Sequence, residues 1–161
     1  MSVRVQTAPF DLACELRDFG RGAGAIVTFQ GLVRSEDGRL TALELEHYPG
    51  MTEKALTRFG LEAAARFALS DWRIIHRYGL LAIDEPIMMV ATAARHRVAA
   101  FEGAEYLMDW LKSRAPFWKR EITAQGPGQW VEAKDTDEAA LDRWSHRKVA
   151  ISARAPHIDP D

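Results

Sequence analysis

Ala25-Ile-Val-Thr-Phe-Gln-Gly-Leu-Val-Arg34 is the stretch from which the fold class is read. Ala25, Val27, Phe29, Gly31 and Val33 fall on one face and Ile26, Thr28, Gln30, Leu32 and Arg34 on the other, the two-residue period of a β-strand. Ser35-Glu-Asp-Gly-Arg39 is turn chemistry, and beyond it Leu43, Leu45 and His47 alternate with Glu44 and Glu46 in a second, half-exposed strand. The two strands are expected to form a hairpin. Pro49-Gly50 closes it, and Thr52 is the expected cap of a helix with the apolar stripe Leu56, Phe59, Ala63 and Phe67. Gly60 weakens that helix without an evident reason in the sequence.

Upstream, Val3 to Thr7 reads as a short strand, and Asp11 caps a helix that runs to Phe19 and stops at the glycine-rich Gly20 to Gly24. Downstream, strands are expected at Trp72 to Tyr78 and Pro86 to Ala94, on either side of Leu81-Ala-Ile-Asp84. A long helix follows, with Val98, Phe101, Ala104, Leu107, Met108 and Leu111 as its apolar face and Glu102, Glu105, Asp109 and Lys112 as its polar stripe. Pro116 ends it, Phe117 to Thr123 is extended, and Gly126-Pro-Gly128 turns the chain before Trp130 to Lys134. This order predicts one α+β domain with a mainly antiparallel sheet and two principal helices.

The 161 residues are 47% hydrophobic and 27% charged, enough apolar surface for a sizeable core. Lys and Arg number 21 against 23 Asp and Glu, a net charge of −2 that argues against a nucleic-acid partner and makes any anion site local. Cys14 is the single cysteine, which excludes an internal disulfide and CxxC-type metal or redox chemistry. The N-terminus has no apolar core of signal-peptide length, and no stretch approaches the roughly 20 apolar residues of a membrane helix. A soluble, cytoplasmic protein is the expectation.

Gly20-Arg-Gly-Ala-Gly24 follows a helix and precedes a strand, the reverse of a dinucleotide-binding loop, and reads as a flexible connection. His47, on the apolar face of its strand, reads first as a half-buried, hydrogen-bonded side chain and second as a base. Arg95-His-Arg97 opens the long helix, where cations oppose the helix dipole unless an anion or carboxylate compensates; a phosphate site and a solvated cluster are both open. Lys112 and Lys119 bracket Ser-Arg-Ala-Pro-Phe-Trp in a basic, aromatic corner, where a lysine either complements the helix end or becomes a proton carrier or nucleophile. At about 1.5 Å per helical residue, Arg97 and Lys112 are about 22 Å apart, too far for one small ligand. If both serve one site, the anion-binding end comes from a second copy of the chain.

Gly24-Ala-Ile-Val-Thr-Phe-Gln-Gly-Leu-Val-Arg34, Leu45-Glu-His-Tyr-Pro-Gly-Met51 and Leu111-Lys-Ser-Arg-Ala-Pro-Phe-Trp-Lys-Arg-Glu121 together resemble the large, catalytic subunit of molybdopterin synthase. The resemblance covers Val3 to Trp144; residues 1–144 are read as the catalytic-subunit domain and 145–161 as a loosely held tail. It implies an α/β-hammerhead-like fold with a small β-rich subdomain. It also implies a sulfurtransferase that converts cyclic pyranopterin monophosphate (precursor Z) into the dithiolene of molybdopterin.

Within this resemblance, no cofactor or metal is required. Sulfur arrives as the C-terminal thiocarboxylate of a small ubiquitin-like subunit, in a heterotetramer built on a large-subunit dimer. Lys112 and Lys119 fall on the family's catalytic lysines, and Arg34, His96 and Arg97 on its anion-binding positions, the last two supplied across the dimer. Lys134 is a further substrate contact where some relatives carry arginine; it keeps the charge and loses the bidentate fork. The rival reading is a non-catalytic module that docks a small protein's tail, with the lysines as docking charges. A phosphate-ester hydrolase using the arginine and histidine cluster is the weaker rival, because the sequence has neither metal-ligand spacing such as HExxH nor a nucleophile motif.

Overall fold

The computed structural model describes residues 1–131 and 141–144. The elements in chain order are β1 (Ser2–Gln6), α1 (Leu12–Leu16), β2 (Ala25–Leu32), β3 (Leu40–His47), α2 (Met51–Phe67), β4 (Leu69–Arg77), β5 (Gly79–Ala82), β6 (Pro86–Ala94), α3 (Arg97–Arg114), β7 (Phe117–Thr123) and β8 (Gly126–Pro127). The fold is α+β, with α2 and α3 as its two principal helices. The strands divide between two four-stranded sheets, ordered β1-β4-β6-β2 and β5-β3-β7-β8. All pairings are antiparallel except β1 with β4.

The expected β2–β3 hairpin is not formed. β2 lies against β6 in the first sheet, whereas β3 lies between β5 and β7 in the second. The divergence has a local cause. The β2–β6 register slips at Gly31/Leu32, and the next residue, Val33, is bound through its backbone to the β5–β6 turn. Val33 N–H donates to the Glu85 carbonyl at 3.0 Å, and Asp84 N–H donates to the Val33 carbonyl at 2.8 Å. Buried Val33 then joins Leu45 and Leu81 in a small core that belongs to the second sheet.

The first sheet is covered on both faces, so its central strands β4 and β6 are apolar almost throughout. Ile74, Met88 and Val90 face α2 and α3, meeting Leu56, Phe59, Leu107 and Leu111. Ile75, Met89, Ala91 and Ala93 face Phe19 and the short α1. The predicted stripe of α2 is the buried one, although Gly50 rather than Thr52 occupies the cap position. Thr52 sits inside the first turn, buried, with its hydroxyl donating to the Tyr48 carbonyl at 2.9 Å. Gly60 finds its reason here: a Cβ at that position would run into the ring of Trp72, itself only 2% exposed.

α3 is rotated from its expected orientation. Val98 and Phe101 are 61% and 62% exposed, while Ala100, Gly103, Ala104, Leu107 and Leu111 are buried. Small residues let the helix approach the sheet closely, and the Leu69 side chain occupies the space a Cβ on Gly103 would need. α1 is shorter than expected, ending at Leu16. Gly20 to Gly24 is a packed turn rather than a flexible connection: Gly24 N–H donates to the Ala94 carbonyl at 3.1 Å, and a Cβ on Gly24 would collide with the Arg95 carbonyl oxygen.

Leu141 and Trp144 are buried against the helices. The Trp144 indole N–H donates to Asp109 at 2.6 Å, and its ring meets Phe67 and Tyr106 edge-on. Residues 145–161, expected to form a loosely held tail, lie outside the described residues.

Candidate active site

The two lysines reach their places through a change of backbone geometry. α3 continues to Arg114, and Ala115 then turns to φ −73°, ψ 130°. Proline disfavours helical geometry in the residue before it, so Pro116 forces this exit into an extended chain. Lys112 therefore hangs from the last turn of α3, whereas Lys119 lies in β7 opposite Leu45 of β3. The Lys119 backbone is held on its other side as well, exchanging hydrogen bonds of 3.1 and 2.8 Å with Val131.

Both side chains line one cleft of about 700 Å³, between the bulged end of β2, the end of α3 and β7. Arg34, just beyond the bulge, completes its cationic lining; its guanidinium is largely exposed and donates to Glu36 at 2.7 Å. Among the described residues neither lysine has an ion-pair partner. The neighbouring Arg120 is engaged elsewhere, 2.6 Å from Glu44 and over the Trp130 ring. Strand alternation thus directs Lys119 into the cleft and Arg120 away from it.

A second cavity of about 470 Å³ extends from the first toward Gly128 and Val131, with Arg34 and Lys119 in both linings. A third, of about 540 Å³, lies between β2 and α3, lined by Phe29, Phe101, Met108 and Lys112 among others. Lys119 therefore stands at one junction and Lys112 at another.

His96 and Arg97 are not brought to the cleft of the same chain. His96 is the cap residue of α3, its side chain makes no capping bond, and no acidic residue stands in the first turn. They occupy the opposite end of the helix from Lys112, as the helical rise requires. Lys134 lies outside the described residues.

Sequence reasoning missed His76, Asp84 and Phe117 as parts of the cleft lining. His76 sits in an apolar strand and carries no spacing signal; Asp84 enters through its left-handed turn at φ 67°. His47, expected to be hydrogen-bonded, has its Nδ1 buried with no partner among the described residues. Its ring instead packs 4.4 Å from Tyr78 and 6.1 Å from Phe117, centroid to centroid. Among the described residues no group of three or more His, Cys, Asp or Glu is placed to hold a metal ion. No described helix is long and apolar enough to cross a membrane.

Comparison with known proteins identifies the family. Residues 5–114 match the family described as "MoaE protein". The chain is 58% identical over 147 residues to the molybdopterin synthase catalytic subunit of Cereibacter sphaeroides, covering 89% of this chain and 100% of that one. The solved MoaE protein from Burkholderia ambifaria superposes with a TM-score of 0.78 at 48% identity, over 91% of this chain and 99% of the other. Molybdopterin synthase from Staphylococcus aureus gives a TM-score of 0.73 at 31% identity, over 80% and 95%.

Proposed function

The chain belongs to the MoaE family of molybdopterin synthase catalytic subunits and acts in molybdenum cofactor biosynthesis; from that premise we propose how its cleft works. The substrate is cyclic pyranopterin monophosphate, bound in the cleft that holds Arg34, Lys112 and Lys119. Sulfur enters as the C-terminal thiocarboxylate of a small ubiquitin-like subunit, whose extended tail occupies the cavity running toward Gly128 and Val131. That cavity meets the main cleft at Arg34 and Lys119, so a tail end placed there faces Lys112 across the substrate. No resident cofactor is needed, because the partner carries the sulfur in. We place the reaction in the cytoplasm.

The thiocarboxylate sulfur attacks an electrophilic substrate carbon and displaces its oxygen, giving a thioester to the partner's C-terminal glycine. Water then cleaves the acyl–sulfur bond, leaving sulfur on the substrate and a carboxylate on the partner, so negative charge develops on oxygen in both steps. Lys112 and Lys119 supply fixed positive charge and protons where that charge develops. Arg34 holds the phosphate with a planar, multiply donating group. The observation that carries this reading is the convergence of a helical and a strand lysine on a cleft continuous with a tail-sized arm.

His96 and Arg97 enter from a second copy. Phe29 and Phe101 expose apolar surface beside Lys112, along the outer strand β2 and the outward face of α3. A two-fold axis perpendicular to α3 through that face sets the two α3 helices antiparallel. The partner's helix start then lies beside this chain's helix end, and both sites are composite.

The test is single-turnover conversion of cyclic pyranopterin monophosphate by the chain mixed with a thiocarboxylated small subunit. Formation of the dithiolene product supports the proposal. Absence of product from a confirmed complex refutes it.

A further inference from the structure

The reading of the cleft as the pyranopterin site leaves one of its walls unused, and the following inference rests on that reading. Ile74, Ile75, His76 and Arg77 run through the centre of the first sheet, all buried, and His76 nevertheless lines the cleft. Its Nδ1 lies 2.8 Å from the carbonyl oxygen of Arg77. A carbonyl only accepts, so Nδ1 carries the proton and Nε2 carries the lone pair. No described residue donates to that lone pair.

The imidazole is also fixed in orientation. It stacks on Phe117 with centroids 3.8 Å apart and planes at 19°, and Phe117 is itself a cleft residue two positions before Lys119. The carbonyl that orients it belongs to Arg77, whose guanidinium donates to the Thr7 carbonyl at 3.2 Å and the Pro86 carbonyl at 3.0 Å. Burial holds the imidazole pKa down at about 4, with neighbouring His47 adding to the effect. His76 is therefore neutral near pH 7 and can offer an acceptor to the cleft.

That chemistry complements the rest of the lining. Arg34, Lys112 and Lys119 are donors and suit an anion. A phosphate has little to gain from a neutral imidazole lone pair, whereas a ring N–H or hydroxyl does. We propose that His76 Nε2 accepts a hydrogen bond from an N–H or O–H donor on the fused-ring portion of the substrate, so that His76 determines which ring system the cleft takes.

Two variants separate this role from a structural one. His76→Asn keeps an amide N–H near the position of Nδ1, able to bond the Arg77 carbonyl, but has no group where Nε2 stood. His76→Gln places an amide oxygen near that second position. With the assembled two-subunit enzyme and saturating small subunit, H76N should raise KM for the cyclic pyranopterin about tenfold, the worth of one such bond. Its kcat should stay within about threefold, and H76Q should recover most of the loss.

Unchanged KM in H76N overturns the inference. So does a loss shared equally by H76Q and matched by a fall in unfolding temperature, because that pattern marks a structural residue. Calorimetric binding of the pyranopterin to the same proteins keeps the two readings distinguishable. If the wild type binds without converting, the proposed reaction fails, and the affinities of the two variants still decide the role of His76. If the wild type neither converts nor binds, both fall.

Discussion

Lys112 and Lys119 lie seven positions apart in sequence, one on the last turn of α3 and the other in the middle of β7, and both line the same cleft. An uninterrupted helix would also set residues seven apart on one face, but along a single line. The Ala115–Pro116 exit instead places the second lysine on a different element, so the pair can approach one ligand from two directions.

Replacing either lysine by alanine should therefore remove chemistry and spare the fold. Single-turnover product formation is expected to fall by about 100-fold or more in Lys112→Ala and Lys119→Ala, in line with the loss of a positioned proton donor or charge stabiliser. Gel filtration should still show the complex with the small subunit. Wild-type turnover in Lys112→Ala would remove that residue from the mechanism.

Complementation tests the composite site. Lys112→Ala chains and chains carrying both His96→Ala and Arg97→Ala should each be inactive alone. After mixing and exchange, half of the dimers are mixed and each holds one intact site, so about a quarter of wild-type activity should return. No recovery in a preparation shown to have exchanged subunits would show that His96 and Arg97 are not supplied across the dimer.

Acid stability should carry the mark of His76. Its folded pKa, about 4, lies below the ordinary histidine value near 6.5. Above about pH 6.5 neither folded nor unfolded chain binds the proton, and the group contributes nothing to pH dependence. Between about pH 6.5 and 4 the unfolded chain binds it first, so folding loses stability, by about 2–3 kcal/mol at pH 4.5. Urea unfolding at pH 7 and pH 4.5 measures this, and His76→Asn should remove that part of the difference.

Gly60→Ala should destabilise the protein even though alanine is the better helix former by about 1 kcal/mol. The added methyl meets the buried Trp72 ring, and overpacking of this kind costs about 1–3 kcal/mol. A raised thermal midpoint would show that the indole has room to move.

Much of this architecture is legible in the residues. The α2 stripe of Leu56, Phe59, Ala63 and Phe67 is the buried face because a long amphipathic period leaves one solution. The motif Leu111 to Glu121 carries both lysines, and its proline marks where helix becomes strand. Pairing was harder to read: residues between β2 and β3 have turn chemistry, but nothing local reveals that Val33 binds the β5–β6 turn instead.

The face of α3 was misread for a related reason. Val98 and Phe101 begin the apolar stripe read from the sequence, yet the sheet takes Ala100 and Gly103 beside Ala104, Leu107 and Leu111 and leaves those two side chains outside. His76 escaped notice because the tautomer and acceptor role come from a neighbouring carbonyl and a stacked ring, neither of which leaves a spacing pattern.

The pairing of β3 with β7, which sets Leu45 opposite Lys119, governs how the protein comes into being. Such a distant pairing is closed late, since the intervening chain must lose its freedom before any bond rewards it. While the ribosome is still releasing α3, the first sheet has all its strands, but β3 lacks its β7 neighbour and Lys119 has nowhere to stand. A chain truncated before β7 can therefore hold the whole first sheet and still lack the strand that carries Lys119 into the cleft.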